Sequence, residues 1–126
     1  MSSWEATVIG RSNVSAPTSR AIHMNPGEAH GPVQAFFVGT EFVHLHGDGS
    51  GSVHATLPPE LADAATAQGW GETHPVVKRG FGYPTWVMLY GPRTSDELAV
   101  VAGMLQAGYR YARFGETPVV ELAGER

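Results

Sequence analysis

Residues 41–57 read EFVHLHGDGSGSVHATL, and their alternation decides the fold class. In an extended chain successive side chains point to opposite faces. Val43 and Leu45 therefore share one face, and Phe42, His44 and His46 the other. The second half repeats the pattern, with Val53, Ala55 and Leu57 opposite His54 and Thr56. The intervening GDGSGS (47–52) supplies glycines, which adopt the positive φ angles a bulged hairpin turn demands. If the aliphatic residues face a core, pairing parity gathers His44, His46 and His54 on the opposite face.

Working outward, VQAFFV (33–38) is rich in strand formers and is joined to residue 41 by Gly39-Thr40. It predicts a meander of strands over 33–38, 41–46 and 52–57. Ala6 to Ile9 and Ala21 to Met24 read as two short earlier strands. Downstream, Pro58-Pro59 opens a helix over 59–68, because proline loses nothing in a first turn, and Gly69 stops it. WGETHP (70–75) reads as a connector and Val76-Val77 as a short strand. WVMLY (86–90) is apolar on both faces, hence a central strand. Thr94-Ser-Asp-Glu97 is a capping box that starts a helix over 95–113. Leu98, Val101, Ala102, Leu105, Gly108, Tyr109 and Ala112 recur along that helix as its buried stripe. Gly115 ends it, and Val119-Val120 is a candidate edge strand. The predicted fold is α+β, an antiparallel β-meander sheet packed on one face by two helices, in a single domain over 1–126. The histidine face is left partly open unless the N-terminal segments or a second subunit cover it.

Composition narrows the function classes. Of 126 residues 42% are apolar and 16% charged, enough apolar surface for a packed core. The net charge is −4, and the eight Lys and Arg are scattered, so no basic stripe points to nucleic acid. There is no cysteine, which excludes disulfides, thiolate ligands and a Cys nucleophile. The N-terminus lacks the basic and apolar regions of a signal peptide, and no apolar run suits a membrane span, so a cytoplasmic location is expected.

Four of the six histidines fall between residues 44 and 74. Imidazoles at i and i+2 on a strand, with a third across the hairpin, can build a metal site or an acid–base pair. His44, His46 and His54 are the candidate ligands for a divalent metal. If they converge with His74, His46, His54 and His74 are the candidate catalytic groups. Asp48 in the turn and Glu72 beside His74 can orient a ring or contact a ligand. Trp70 in its glycine-flanked connector is a candidate cleft residue, and Arg93 a candidate clamp for an anion. The opposing reading is a polar sheet face of solvated histidines, with Arg93 a solvated turn residue. GDGSGS joins two antiparallel strands and opens no helix, so it lacks the physical basis of a phosphate loop. No cofactor motif is present.

The ordered run HLHGDGSGSVHATLPPELADAATAQGWGETHP, followed by VMLYGPRTSDELAVVAGMLQAGYRYA, resembles the bacterial and fungal luciferase-like domain family over roughly residues 33–113. By position the resemblance picks out His44, His46, Asp48, His54, Trp70, Glu72, His74, Tyr90 and Arg93. A similarity of pattern alone connects the chain to MmcQ/YjbR-type domains and implies a small α+β sandwich. The expected function is a small-molecule-processing enzyme, of secondary metabolism, that uses the histidine face for acid–base or metal-assisted hydrolysis, isomerisation or cyclisation. The alternative is a non-catalytic ligand- or metal-binding or interaction module. A small-molecule ligand is the expected partner, with a homodimer the candidate assembly.

Overall fold

The computed structural model describes residues 4–13, 19–45, 51–122 and 124–126. Six strands make one antiparallel sheet: β1 (Thr7–Arg11), β2 (Arg20–Met24), β3 (Glu41–Leu45), β4 (Val53–Thr56), β5 (Gly71–Thr73) and β6 (Trp86–Leu89). Their spatial order is β1-β2-β3-β4-β6-β5. Among the described residues three α-helices accompany it: α1 (Pro59–Ala67), α2 (Pro75–Lys78) and α3 (Ser95–Phe114). The α+β class predicted from the hydrophobic pattern is the one observed.

One sheet face carries the core. Ile22, Val43, Val53, Ala55, Val87 and Leu89 are buried in one apolar cluster with Leu61, Ala62 and Ala65 of α1 and Val101, Met104 and Leu105 of α3. α1 lies against β5 and β6, and α3 against β3 and β4. A Cβ at Gly108 would stand 2.5 Å from the Thr56 carbonyl oxygen, so glycine there lets α3 close onto β4. Leu45, expected in this core, is 40% exposed at the end of β3. Along α3 the buried arc is rotated from the expected stripe. Met104, Ala107 and Tyr111 join it, whereas Leu98 and Ala102 fall on its solvent side.

Three further expectations are corrected. Residues 33–38 are not a strand: Val33–Ala35 is a 3₁₀ turn. The carbonyls of Gln34, Ala35 and Phe36 accept instead from the side chains of Thr85, Thr56 and Trp86, at 2.6, 2.7 and 3.0 Å. These side-chain donors replace a strand ladder, and the segment runs from α3, which Val33–Ala35 touches, to the histidine face, which Phe37 covers, while β2 takes the edge of β3. Val76-Val77 belongs to α2, because Pro75 starts a helix for which the His74 side chain caps Val76 N–H. The strand lies in the preceding connector, as β5. The tail forms no strand at Val119-Val120.

The decisive local feature is a register shift between β2 and β3. Ile22 pairs with Val43 but His23 pairs with Glu41, leaving Phe42 as an extra residue on β3. A bulge of this kind breaks the strict alternation of faces. Phe42, expected beside the histidines, instead packs into the core, its ring 5.8 Å from Trp4 and 6.3 Å from Tyr109. Glu41 is turned to the histidine face in its place.

A buried glutamate–histidine candidate site

The second sheet face carries a transverse row. Register places His44 of β3 opposite His54 of β4, His54 opposite Met88 of β6, and Met88 opposite Glu72 of β5. His74 stands just beyond β5, its N–H donating to the Trp86 carbonyl at 3.0 Å. This face is not open: His44, His54 and His74 are 1%, 5% and 8% exposed. The cover is aromatic. The Phe37 ring lies 5.0 Å from His44, 6.0 Å from His74 and 5.0 Å from Trp86. Trp86 in turn seats the loop at Gly82, where φ is +69° and a Cβ would collide with the indole at 2.5 Å.

Glu41 is fully buried and its carboxylate accepts three hydrogen bonds: from Ser12 Oγ at 2.8 Å, Asn13 N–H at 2.6 Å and His44 Nδ1–H at 2.9 Å. Burial alone would raise its pKa, but the bonds from His44, Asn13 and Ser12 outweigh it and hold the carboxyl below its ordinary value. An ionised carboxylate only accepts, so the proton shared with His44 sits on Nδ1. His44 Nε2 then offers a lone pair, and His54 Nδ1, 2.9 Å away, donates to it. The tautomers follow from this network. His54 is thereby the third member of a Glu41–His44–His54 hydrogen-bonded chain.

His74 is fixed differently. Its Nδ1 accepts the Val76 N–H at 3.1 Å, so its own proton lies on Nε2. The rings of His54 and His74 lie edge to face, with centroids 4.3 Å apart and planes at 78°. One ring nitrogen from each of His44, His54 and His74 lies within 4.8 Å of the others, which is also the reach of a single metal ion.

The structure thus brings together His44, His54 and His74 of the sequence-predicted residues. His46 and Asp48 lie outside the described residues. Glu72 stands at the sheet edge, accepting from Tyr90 O–H at 3.3 Å, with Lys78 Nζ 3.8 Å away. Trp70 does not line this site: it is buried in the helix-side core, its Nε1–H donating to the Gly124 carbonyl at 2.9 Å. Arg93 grips Glu97 through Nε and Nη2 at 2.7–3.2 Å, at the start of α3. Sequence reasoning missed Glu41, because unbroken alternation assigns it to the face of Val43. It also missed the aromatic cover of Phe37 and Trp86. The only signal for Glu41 was a carboxylate three residues before a strand histidine.

Comparison with known proteins now adds a family. A family model described as the Luciferase domain matches residues 39–108, more than half of the chain and all three clustered histidines. The chain belongs to the luciferase-domain family. Proteins named Luciferase from the fungi Armillaria ostoyae, Armillaria gallica and Neonothopanus nambi are 36%, 34% and 33% identical to it over 73 residues. The match covers 56% of this chain but only 27% of each of those proteins, so this luciferase-family chain corresponds to about a quarter of their length. No solved structure matches it. Among the described residues no helix is long and apolar enough to cross a membrane.

Proposed function

We propose that this luciferase-family chain binds a small organic molecule and performs acid–base chemistry on it, with His54 as the proton acceptor. The observation that carries this reading is the buried Glu41–His44–His54 chain. A carboxylate that fixes one imidazole, which fixes the next, selects the tautomer a general base needs and stabilises the imidazolium formed when it takes a proton. Low surrounding polarity from Phe37 and Trp86 strengthens each of these interactions. The relatives share the name Luciferase, which is in keeping with a small-molecule site of this kind. Of the reactions the sequence suggested, isomerisation by proton transfer asks least beyond the groups present.

The second reading is a divalent metal held by His44, His54 and His74, favoured by the 4.8 Å convergence of their nitrogens. It would make Glu41 the outer carboxylate that orients a ligating His44. The two readings part in one experiment. Metabolite mixtures are incubated with wild type, Glu41→Gln and His54→Ala, and conversion is followed by mass spectrometry with and without EDTA. The acid–base reading expects conversion by wild type alone, a loss of about 10²- to 10⁴-fold in His54→Ala, and no chelator effect. Loss of conversion with EDTA, together with stoichiometric metal in the purified protein, would establish the metal instead. Ligand recovered unchanged from wild type would leave a binding module.

A further inference from the structure

We propose that β1 is a docking edge for a second copy of this chain: two β1 strands pair antiparallel about a two-fold axis at Ile9 and join the two sheets into one.

The sheet ends on two unlike edges. β5 closes one of them with only Gly71–Thr73, and Pro75 follows almost at once. Glu72, with Lys78 Nζ 3.8 Å away, sets charge along that edge. Short length, proline and charge are the devices by which proteins keep a sheet edge from pairing. β1 closes the other edge with five residues, and the order β1-β2-β3-β4-β6-β5 leaves its outer side without a strand. Its centre carries the β-branched Val8 and Ile9, 56% and 52% exposed, and its one charged residue, Arg11, stands at the end. Ladder parity shows which backbone groups this edge offers. Asn25 N–H donates to the Ala6 carbonyl at 2.7 Å, and Ser12 N–H to the Ser19 carbonyl at 3.4 Å. The even-numbered residues therefore turn their backbone groups to β2, while Thr7, Ile9 and Arg11 turn theirs outward. The Arg11 carbonyl already accepts from His23 Nε2 at 2.8 Å and keeps a second lone pair.

Register, apolar surface and charge all select a second copy as the occupant. Antiparallel pairing about Ile9 sets it against Ile9 of the partner subunit, and Thr7 against Arg11 of the partner subunit, so every outward residue is matched. On the helix side of the sheet Ile9 pairs with Ile22, and Ile22 with Val43. With Leu45 they line a depression of about 150 Å³, of which Ile9 is the wall at the sheet edge. Residues paired across a ladder point to the same face, so the two Ile9 side chains would join the two depressions into one apolar stripe. The charges are self-complementary as well. Arg11 and Arg20 stand opposite each other across β1 and β2, and among the described residues neither makes an ion pair. Glu5, at the other end of the strand, lies 3.6 Å from Arg113 yet is 85% exposed. Antiparallel pairing brings the Glu5 end of each strand to the Arg11–Arg20 end of the other, and opposite charges facing across a ladder stabilise it. A five-residue ladder is small beside the roughly 1,600 Å² of a standard interface, so the dimer is expected to exchange with monomer at micromolar concentrations.

Sedimentation equilibrium of the full chain, from micromolar to millimolar protein, tests the proposal. Wild type is expected to follow a monomer–dimer equilibrium. Ile9→Lys sets two like charges on the axis and should raise the dissociation constant at least about a hundredfold. Its far-UV circular dichroism should be that of wild type, because Ile9 is half exposed. A second arm uses Glu5→Arg and, separately, Arg11→Glu with Arg20→Glu. Each of these chains alone should be monomeric, and mixing them should restore a dimer. A wild type that stays monomeric at millimolar concentration overturns the proposal. So does a dimer that Ile9→Lys leaves intact, since that dimer uses another surface. Should Ile9→Lys fail to fold, the charge variants decide: wild-type dimerisation by either alone, or no dimer on mixing, overturns it. β1 carries none of the three clustered histidines, so the acid–base reading stands or falls separately.

Discussion

On the helix side of the sheet, Val43, Val53, Ala55, Val87 and Leu89 meet α1 and α3 in a wholly apolar layer. On the other side, one strand position over, His44, His54 and Glu41 are just as buried. The same strands serve both faces, yet the faces are held by different forces. The first is sustained by apolar area removed from water, at about 25 cal/mol per Å², which is non-directional and tolerant of substitution. The second contains a buried charge whose hydrogen bonds must all be made, since an unpaired buried polar group costs more than a satisfied one contributes. A face of the second kind is retained for what it does rather than for how tightly it packs.

The largest expected effect breaks the polar face. Glu41→Ala removes the carboxylate that accepts from Ser12, Asn13 N–H and His44, and should cost about 3–5 kcal/mol, as for a buried pair that loses one member. Glu41→Gln keeps the shape and should cost less. The pH dependence has a definite sign. Because the folded carboxyl titrates below its ordinary value, its contribution is fully present above the unfolded carboxylate range and is lost as pH falls through the lower, folded value. Urea denaturation of wild type and Glu41→Gln at stepped pH should therefore show a stability gap that narrows toward acid. A gap that widened on acidification would mean that Glu41 is buried in its neutral form.

The helix side gives the next largest effect. Leu105→Ala empties a buried position of α3 and should cost about 2–5 kcal/mol, with no change in the histidine tautomers. Chemical denaturation alongside two-bond ¹H–¹⁵N correlation spectra of the histidines checks both halves. If the tautomers changed as well, the two faces would not be independent, and the contrast between them would fail.

How much of this was legible in the sequence follows the same division. The apolar face was legible, because burial of Val43, Val53 and Ala55 needs only alternation and the helices need only their period and their stops. Two histidines of the site were legible too, since His44 and His54 are paired by parity across a hairpin. The third, His74, enters through β5, which hides in the GWGETHP connector as three residues, too short for any periodicity. Glu41 was not legible. Its place depends on a single bulge at Phe42, which a pattern of alternating residues does not encode. The cover was misread for a related reason. VQAFFV has strand composition, but side-chain donors on Thr56, Thr85 and Trp86 claim its carbonyls, and such long-range bonds leave no local trace.

The smallest expected effect lies at the start of α3, where the predicted capping box is present in altered form. Thr94 Oγ accepts the Glu97 N–H at 3.1 Å, as expected. The Glu97 carboxylate, however, reaches past Thr94 and accepts the backbone N–H of Arg93 at 2.8 Å, besides the Arg93 guanidinium. Hydrogen bonds from the Arg93 side chain and backbone hold the Glu97 carboxyl down at about 2. The two halves of the cap therefore rest on different residues and can be removed separately. Thr94→Ala should cost about 1 kcal/mol and leave the Arg93–Glu97 bonds in place, whereas Thr94→Ser should be close to neutral because it keeps the accepting oxygen. Melting curves of the two variants measure the difference. None of the three site histidines belongs to this turn, so both variants should keep the histidine ¹H–¹⁵N correlation spectrum of wild type. A changed histidine spectrum in Thr94→Ala would show that the start of α3 reaches the histidine face, and the separation of the sheet's two sides would have to be given up.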